Sequence, residues 1–201
     1  MHDLLIQDNF FPIVIQRQIH AFINTSNINW YYTTKNLSHS DNNIIENAKN
    51  RDTRICEEVS AFQHLFYPAK TDITYKIDIK SLFQTYIEKN FNLKTKKIHR
   101  ILANFYIPSP NFVEHNYMLP HIDQEEPHLT LIYYVNNCEG ETYLFNELYK
   151  QNEEVTHYNK TLGKTIMPKQ GRAILFNGFR YHAGSPSRHT VRQVININFE
   201  T

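Results

Sequence analysis

Val191-Arg192-Gln193-Val194-Ile195-Asn196-Ile197-Asn198-Phe199, close to the end of a 201-residue chain, decides the fold class. In an extended segment side chains alternate, so Val191, Gln193, Ile195, Ile197 and Phe199 face one way and Arg192, Val194, Asn196 and Asn198 the other. An apolar face backed by one arginine and two asparagines suits a strand that packs on helices and lines a polar cavity. Upstream, the same short-strand pattern recurs at Ile98–Tyr106, Leu129–Val135, Thr142–Phe145, Thr165–Met167 and Ala173–Phe176. Turn residues at 136–140 (NNCEG) and 169–171 (KQG) separate these runs.

The N-terminal half reads differently. Leu4, Leu5 and Ile6 suggest a first strand. Pro12 suits the first turn of a helix in which Ile15, Ile19, Phe22 and Ile23 recur at helical spacing. Ile79, Leu82, Phe83, Tyr86 and Ile87 mark a second helix, and the aromatic runs Trp30–Tyr32 and Phe62–Tyr67 are strand-like. Two helices followed by a series of strands predict an α+β fold, a double-stranded β-helix (jelly roll) with N-terminal supporting helices on one outer face. Neither flank of the polar stretch Asn36–Arg54 looks able to make its own core, so residues 1–201 are read as a single domain. The polar stretch Asn36–Arg54 is expected as a mobile surface loop or lid, and Glu147–Lys164 as a flap or a solvated loop.

With 21 basic and 20 acidic residues the formal net charge is +1, which gives no general footprint for a polyanion. The cluster Lys94, Lys96, Lys97, His99 and Arg100 reads as a solvated approach to a strand, so nucleic acid is not an expected partner. Cys56 and Cys138 form no metal or disulfide framework. No run of apolar residues is long enough for a spanning helix, and the opening MHDLLIQDNFF lacks the basic-then-apolar order of a signal peptide. A cytoplasmic protein without a membrane partner is the resulting expectation.

His121-Ile122-Asp123 places two ligand-type side chains at i and i+2, on one side of an extended segment. Alone this is weak, since a polar pair at a strand end looks the same. His182 follows after the apolar strand Ala173–Phe176, and Arg192 lies ten residues further on, on the polar face of the last strand. Two imidazoles and one carboxylate leave open positions on a metal, as non-haem Fe(II) oxygenases require. A guanidinium turned inward behind such a site calls for an anion, and its planar fork matches a carboxylate. His189 is the rival for the distal ligand, but its neighbours Ser187, Arg188 and Thr190 favour the surface. His115, His128 and His157 read as ordinary polar loop or strand-edge residues.

Taken in order, RILANFYIP (100–108), HID (121–123), LTLIYYVNN (129–137), GETYLF (140–145), GRAILF (171–176), HAGS (182–185) and RQVININF (192–199) resemble the 2-oxoglutarate/Fe(II)-dependent oxygenase superfamily, within it the prolyl-4-hydroxylase-like branch. The likeness covers residues 98–199, about half the chain; the first 97 residues resemble it only loosely. It implies a dioxygenase in which His121, Asp123 and His182 bind Fe(II) and act in catalysis, and Arg192 clamps the distal carboxylate of the co-substrate 2-oxoglutarate. Dioxygen takes the remaining position, and oxidative decarboxylation to succinate is coupled to hydroxylation of a C–H bond. A tyrosine or asparagine usually assists the arginine; Tyr106 and Asn104 share a strand face, Tyr117 is a rival, and Thr130 a weaker candidate. Where the family carries a small-residue doublet before Glu-Thr, this chain has Glu139-Gly140.

The branch resembled favours a protein side chain such as proline as the substrate, ahead of a nucleobase or a free small molecule. Two readings of other classes compete. A non-catalytic jelly-roll binding module predicts damage to the triad or the arginine, and none is visible. A different metalloenzyme on a similar barrel has no need of a dedicated carboxylate clamp such as Arg192.

Overall fold

The computed structural model describes residues 4–25, 28–33, 42–56, 59–68 and 77–201. Its strands are β1 (Leu5–Gln7), β2 (Tyr31–Thr33), β3 (Ala61–Tyr67), β4 (Lys97–Tyr106), β5 (Leu129–Tyr134), β6 (Thr142–Leu148), β7 (Leu162–Ile166), β8 (Ala173–Asn177), β9 (Arg180–Gly184) and β10 (Arg192–Glu200). The helices are α1 (Ile13–Ile23), α2 (Asn42–Arg51) and α3 (Ile79–Phe91). The larger sheet runs β1-β8-β5-β10-β4-β3-β2 and the smaller β7-β6-β9, and every named strand pair is antiparallel. Two facing sheets, with α1 and α3 on the outer side of the larger one, make the expected double-stranded β-helix.

Strand β10 is central because both of its faces are used. Ile195, Ile197 and Phe199 join Ile101 and Ala103 of β4, Leu131 and Tyr133 of β5 and Leu175 of β8 on the outer face. There they meet Ile19 and Ile23 of α1 and Ile79, Phe83 and Ile87 of α3, all buried. At about 1.5–3 kcal/mol for each fully buried large apolar side chain, this layer is the main stabilising element. Asp78 caps α3 by accepting from Ser81 N at 3.0 Å, and Asn92 ends it in the left-handed region at φ 52°. The other face of β10 carries Arg192, Val194 and Asn196 into the space between the sheets.

Three sequence expectations are corrected. The stretch Asn36–Arg54 contains helix α2, with Ala48 buried and Ile44 and Ile45 packed beside it; residues 36–41 lie outside the described residues. Strand β9 was not expected, because Arg-Tyr-His-Ala-Gly shows no alternation: Tyr181, His182 and Ala183 are all buried. Arg100 is not part of a solvated cluster. A β-bulge in β4 at His99, opposite Asn198 and Phe199, lets Ile98 face the helices although it has the same parity as Arg100. The bulge thereby takes Ile98 out of phase, whereas Arg100 keeps the parity of Leu102, Asn104 and Tyr106 and faces the space between the sheets with them. The 149–161 connection links β6 to β7, and its Val155 and His157 reach the same space. No helix among the described residues is long and apolar enough to cross a membrane.

Candidate metal and co-substrate site

The two histidines of the cluster are brought together by backbone pairing. His121 forms an antiparallel bridge to His182 on β9, each N–H donating to the other's carbonyl at 2.9 Å. Directly opposed residues project to the same side, and the imidazole centroids lie 4.5 Å apart. Asp123, two residues beyond His121, completes a cluster whose ligand atoms all lie within 4.8 Å of one another.

The imidazoles are set for a metal. His121 Nδ1 lies 2.9 Å from Leu119 O and His182 Nδ1 3.2 Å from Arg180 O. A carbonyl can only accept, so each Nδ1 carries the proton and each Nε2 the lone pair. His182 Nε2 is buried, has no hydrogen-bond partner among the described residues and sits 3.9 Å from Asp123 Oδ2. Leaving such an atom unsatisfied costs about 1–3 kcal/mol, which a cation between imidazole and carboxylate would offset. Burial also lowers the pKa of His182, against the pull of Asp123, and so favours the neutral, ligating form. The donor set fits a divalent iron.

Asp123 is held on both oxygens. Arg100 Nη2 donates to Oδ1 at 2.6 Å, Asn198 Nδ2 to Oδ2 at 2.8 Å, and Thr130 Oγ1 lies 3.4 Å from Oδ2. Arg100 Nε also donates to Asn198 Oδ1 at 2.9 Å, closing a ring of contacts. Burial of this carboxyl would raise its pKa, but the charge of Arg100, the two imidazoles and the Asn198 hydrogen bond outweigh it and hold Asp123 well below the usual carboxylate range. It is an anion at any working pH.

Between the sheets lies a cavity of about 500 Å³ that holds the triad at one end and Arg192 at the other. The Arg192 side chain is 3% exposed. Its Nε donates to Gly140 O at 3.0 Å, its Nη2 to Thr142 Oγ1 at 2.9 Å, and its guanidinium carbon sits 5.2 Å from the Tyr106 ring centroid. Among the described residues it meets no carboxylate, so its charge has only neutral dipoles to answer it. Gly140 is required here, because a Cβ would stand 2.7 Å from Arg192 Cδ and 2.5 Å from Ser185 O. The Thr142 hydroxyl also accepts from Tyr134 Oη at 2.8 Å, which leaves its own proton for a further acceptor.

A family model for the 2OG-Fe(II) oxygenase superfamily matches residues 108–200, which include all three triad residues and Arg192. Residues 108–200 belong to that superfamily by sequence. The fold agrees. An oxidoreductase of the 2OG-Fe(II) oxygenase family from Burkholderia pseudomallei superposes with a TM-score of 0.61 at 9% identity, over 98% of this chain and 84% of that one. A prolyl hydroxylase from Trichoplax adhaerens, in complex with a hypoxia inducible factor oxygen degradation domain peptide fragment, gives 0.57 at 16% over 98% and 82%. A Pseudomonas putida prolyl-4-hydroxylase gives 0.53 at 12% over 100% and 93%. No curated protein matches the sequence.

As a 2-oxoglutarate/Fe(II) oxygenase the chain uses iron and 2-oxoglutarate, and the His/Asp/His cluster is the donor set which that chemistry needs. Tyr106 and Asn104 both line the oxygenase cavity. Asn104 Oδ1 accepts from Gln63 Nε2 at 2.9 Å, so its amide protons remain to be given. Tyr117 is placed elsewhere: its hydroxyl donates to Asp52 Oδ2 at 2.7 Å, and its ring packs on Tyr143 and Phe145 outside the cavity. Thr130 is fully buried behind Asp123 with Asn198, so it supports the carboxylate rather than facing the co-substrate. His189 is exposed, as its sequence neighbours indicated. Sequence reasoning missed Arg100, Thr142, Gln63 and His157 as cavity residues. Thr142 had a signal in its position in Gly-Glu-Thr, and Arg100 in the strand parity that it shares with Asn104 and Tyr106.

Proposed function

We propose that this oxygenase hydroxylates a side chain of a protein substrate, proline being the first choice. In this reading His121, Asp123 and His182 hold Fe(II), and Arg192 grips the distal carboxylate of 2-oxoglutarate. The observation that carries it is the meeting of the triad and a charge-uncompensated, buried Arg192 in one cavity. Iron bound there supplies the dioxygen activation that couples decarboxylation of 2-oxoglutarate to hydroxylation. The chain does the rest. Arg192, with Thr142, Tyr106 and Asn104 around it, offers hydrogen-bond donors to a carboxylate, and Arg100 and Asn198 keep Asp123 aimed. Leu102, Met118, Ile132 and Val194 line the cavity with apolar surface and keep water from the reacting centre.

A protein substrate is supported by the solvent side of the cavity, to which two different connections contribute the exposed Glu125 and the half-buried Val155 and His157. The fold is also shared with a prolyl hydroxylase described in complex with a peptide fragment. We place the reaction in the cytoplasm, where Cys56 and Cys138 would stay free thiols, as they are here. Succinate release with Fe(II) and 2-oxoglutarate, measured on proline-containing peptides, nucleotides and free amino acids, tests the reading. Stimulation by peptides is expected. Stimulation by nucleotides or amino acids alone would replace the substrate assignment, and no succinate under any condition would remove the catalytic one.

A further inference from the structure

We infer that the substrate is recognised through a neutral amide group, held between Gln124 and His157 at the cavity mouth. The inference rests on the oxygenase reading above and names what that site accepts. Gln124 directly follows the ligand Asp123 and lines the cavity. Its Nε2 is buried and has no hydrogen-bond partner among the described residues. His157 reaches the cavity from the 149–161 connection. Its Nδ1 lies 2.7 Å from Pro120 O, one residue before the ligand His121. That carbonyl fixes the tautomer, so Nδ1 bears the proton and Nε2 offers a lone pair. Burial lowers the His157 pKa and agrees with the neutral ring.

An unpaired donor and an acceptor thus flank the two ends of the His121-Ile122-Asp123 segment. A secondary amide complements both: its carbonyl takes the Gln124 N–H and its own N–H is given to His157 Nε2. The cations nearby are committed elsewhere. Arg100 holds Asp123 at 2.6 Å and Arg192 lies at the far end against Gly140 and Thr142, while Glu125 meets only the neutral Tyr149 hydroxyl at 3.0 Å and keeps its negative charge. A free amino acid would bring a carboxylate to a mouth whose uncommitted charge is the anionic Glu125, and no cation is free there among the described residues. A backbone amide beside the target side chain brings no such charge, so the partner is a polypeptide.

The test uses the full chain with Fe(II) and 2-oxoglutarate. Decarboxylation of 2-oxoglutarate without substrate is measured first, because its absence would overturn the oxygenase reading and this inference with it. A pool of proline-centred pentapeptides, acetylated and amidated, is then compared with free L-proline and a single-stranded oligonucleotide. The blocked peptides should stimulate succinate release at least tenfold more than L-proline at equal concentration. Binding of the same peptides to the Mn(II)/2-oxoglutarate form, followed by NMR, should weaken about tenfold in His157→Phe and in Gln124→Glu. His157→Gln, which keeps an acceptor near the Nε2 position, should recover most of that affinity, which a purely structural loss would not permit. Equal stimulation by L-proline, stimulation by the oligonucleotide alone, or unchanged peptide affinity in His157→Phe would overturn the amide assignment.

Discussion

Arg192 concentrates the co-substrate chemistry in one side chain. It cannot shed its proton, it is 3% exposed, and its partners are a carbonyl, a hydroxyl and an aromatic ring, none of which cancels its charge. Arg192→Leu should leave Fe(II) affinity nearly unchanged while weakening 2-oxoglutarate by about 1.5–3 kcal/mol, the usual worth of a hydrogen bond to a charged group. Arg192→Lys should recover only part, since a point charge cannot grip two oxygens in one plane. Isothermal titration of the Mn(II)-loaded protein measures both, and equal 2-oxoglutarate binding by wild type and the leucine variant would sink the assignment. His121, Asp123, His182 and Arg192 were legible in the sequence because their chemistry is distinctive and strand parity aims them. Arg100 was not: it shares parity with Asn104 and Tyr106, but it ends a run of basic residues that reads as solvated, and the bulge at His99 puts Ile98 of the same parity on the helix side. His157 was not either: its cavity position depends on the hydrogen bond to Pro120, 37 residues away in sequence.

At the scale of elements, strands with one apolar and one polar face, and helices with a regular apolar stripe, could be read to within a few residues. Strand β9 could not, since burial on both faces erases alternation, although it carries His182. Helix α2 was obscured by its asparagine-rich polar face; only Ile44, Ile45 and Ala48 mark its packed side. The join between β1 and β8 gives a prediction with a sign. Asp8, just past β1, accepts from Arg172 Nε at 2.6 Å and from Lys169 Nζ at 2.8 Å. Hydrogen bonds from Arg172 and then Lys169 lower its pKa from 3.8 to about 2. A carboxyl with a depressed folded pKa stabilises the fold above its unfolded pKa and loses that contribution as pH falls through the folded one. The side chain is 38% exposed, so solvent screening leaves about 1 kcal/mol. Asp8→Asn should therefore be about 1 kcal/mol less stable to urea near neutral pH, the difference fading as pH falls from 3.8 to about 2. A gap that stayed constant through that window would show that the ion pair is not its source. The cap of α3 is a second test: Asp78→Ala removes the acceptor for Ser81 N and should cost about 1 kcal/mol in the same assay. An unchanged unfolding midpoint would count against it.

Across the whole molecule, the outer layer between the larger sheet and helices α1 and α3 is dry and apolar, whereas the space between the sheets is left partly open and polar. Stability and function are thus placed on opposite faces of the same strands. The site also spans both sheets: His182 and Thr142 come from the smaller, Arg192, Tyr106 and Asn104 from the larger. Ligands that bridge two sheets bind the folded state only, so they should raise its unfolding temperature. At a concentration about 100 times its dissociation constant, each contributes about 2.7 kcal/mol. For a domain of about 200 residues this corresponds to roughly 5–10 °C per ligand. Mn(II), which resists oxidation during the scan, should raise the midpoint first, and 2-oxoglutarate should add a second rise only when the metal is present, because its keto acid needs the ion held by the triad. A chelator should return the midpoint to its starting value. In Arg192→Leu the metal step should persist and the 2-oxoglutarate step should shrink. If 2-oxoglutarate gave the same rise with and without Mn(II), it would be binding away from His121, Asp123 and His182, and the single two-ended site would be wrong.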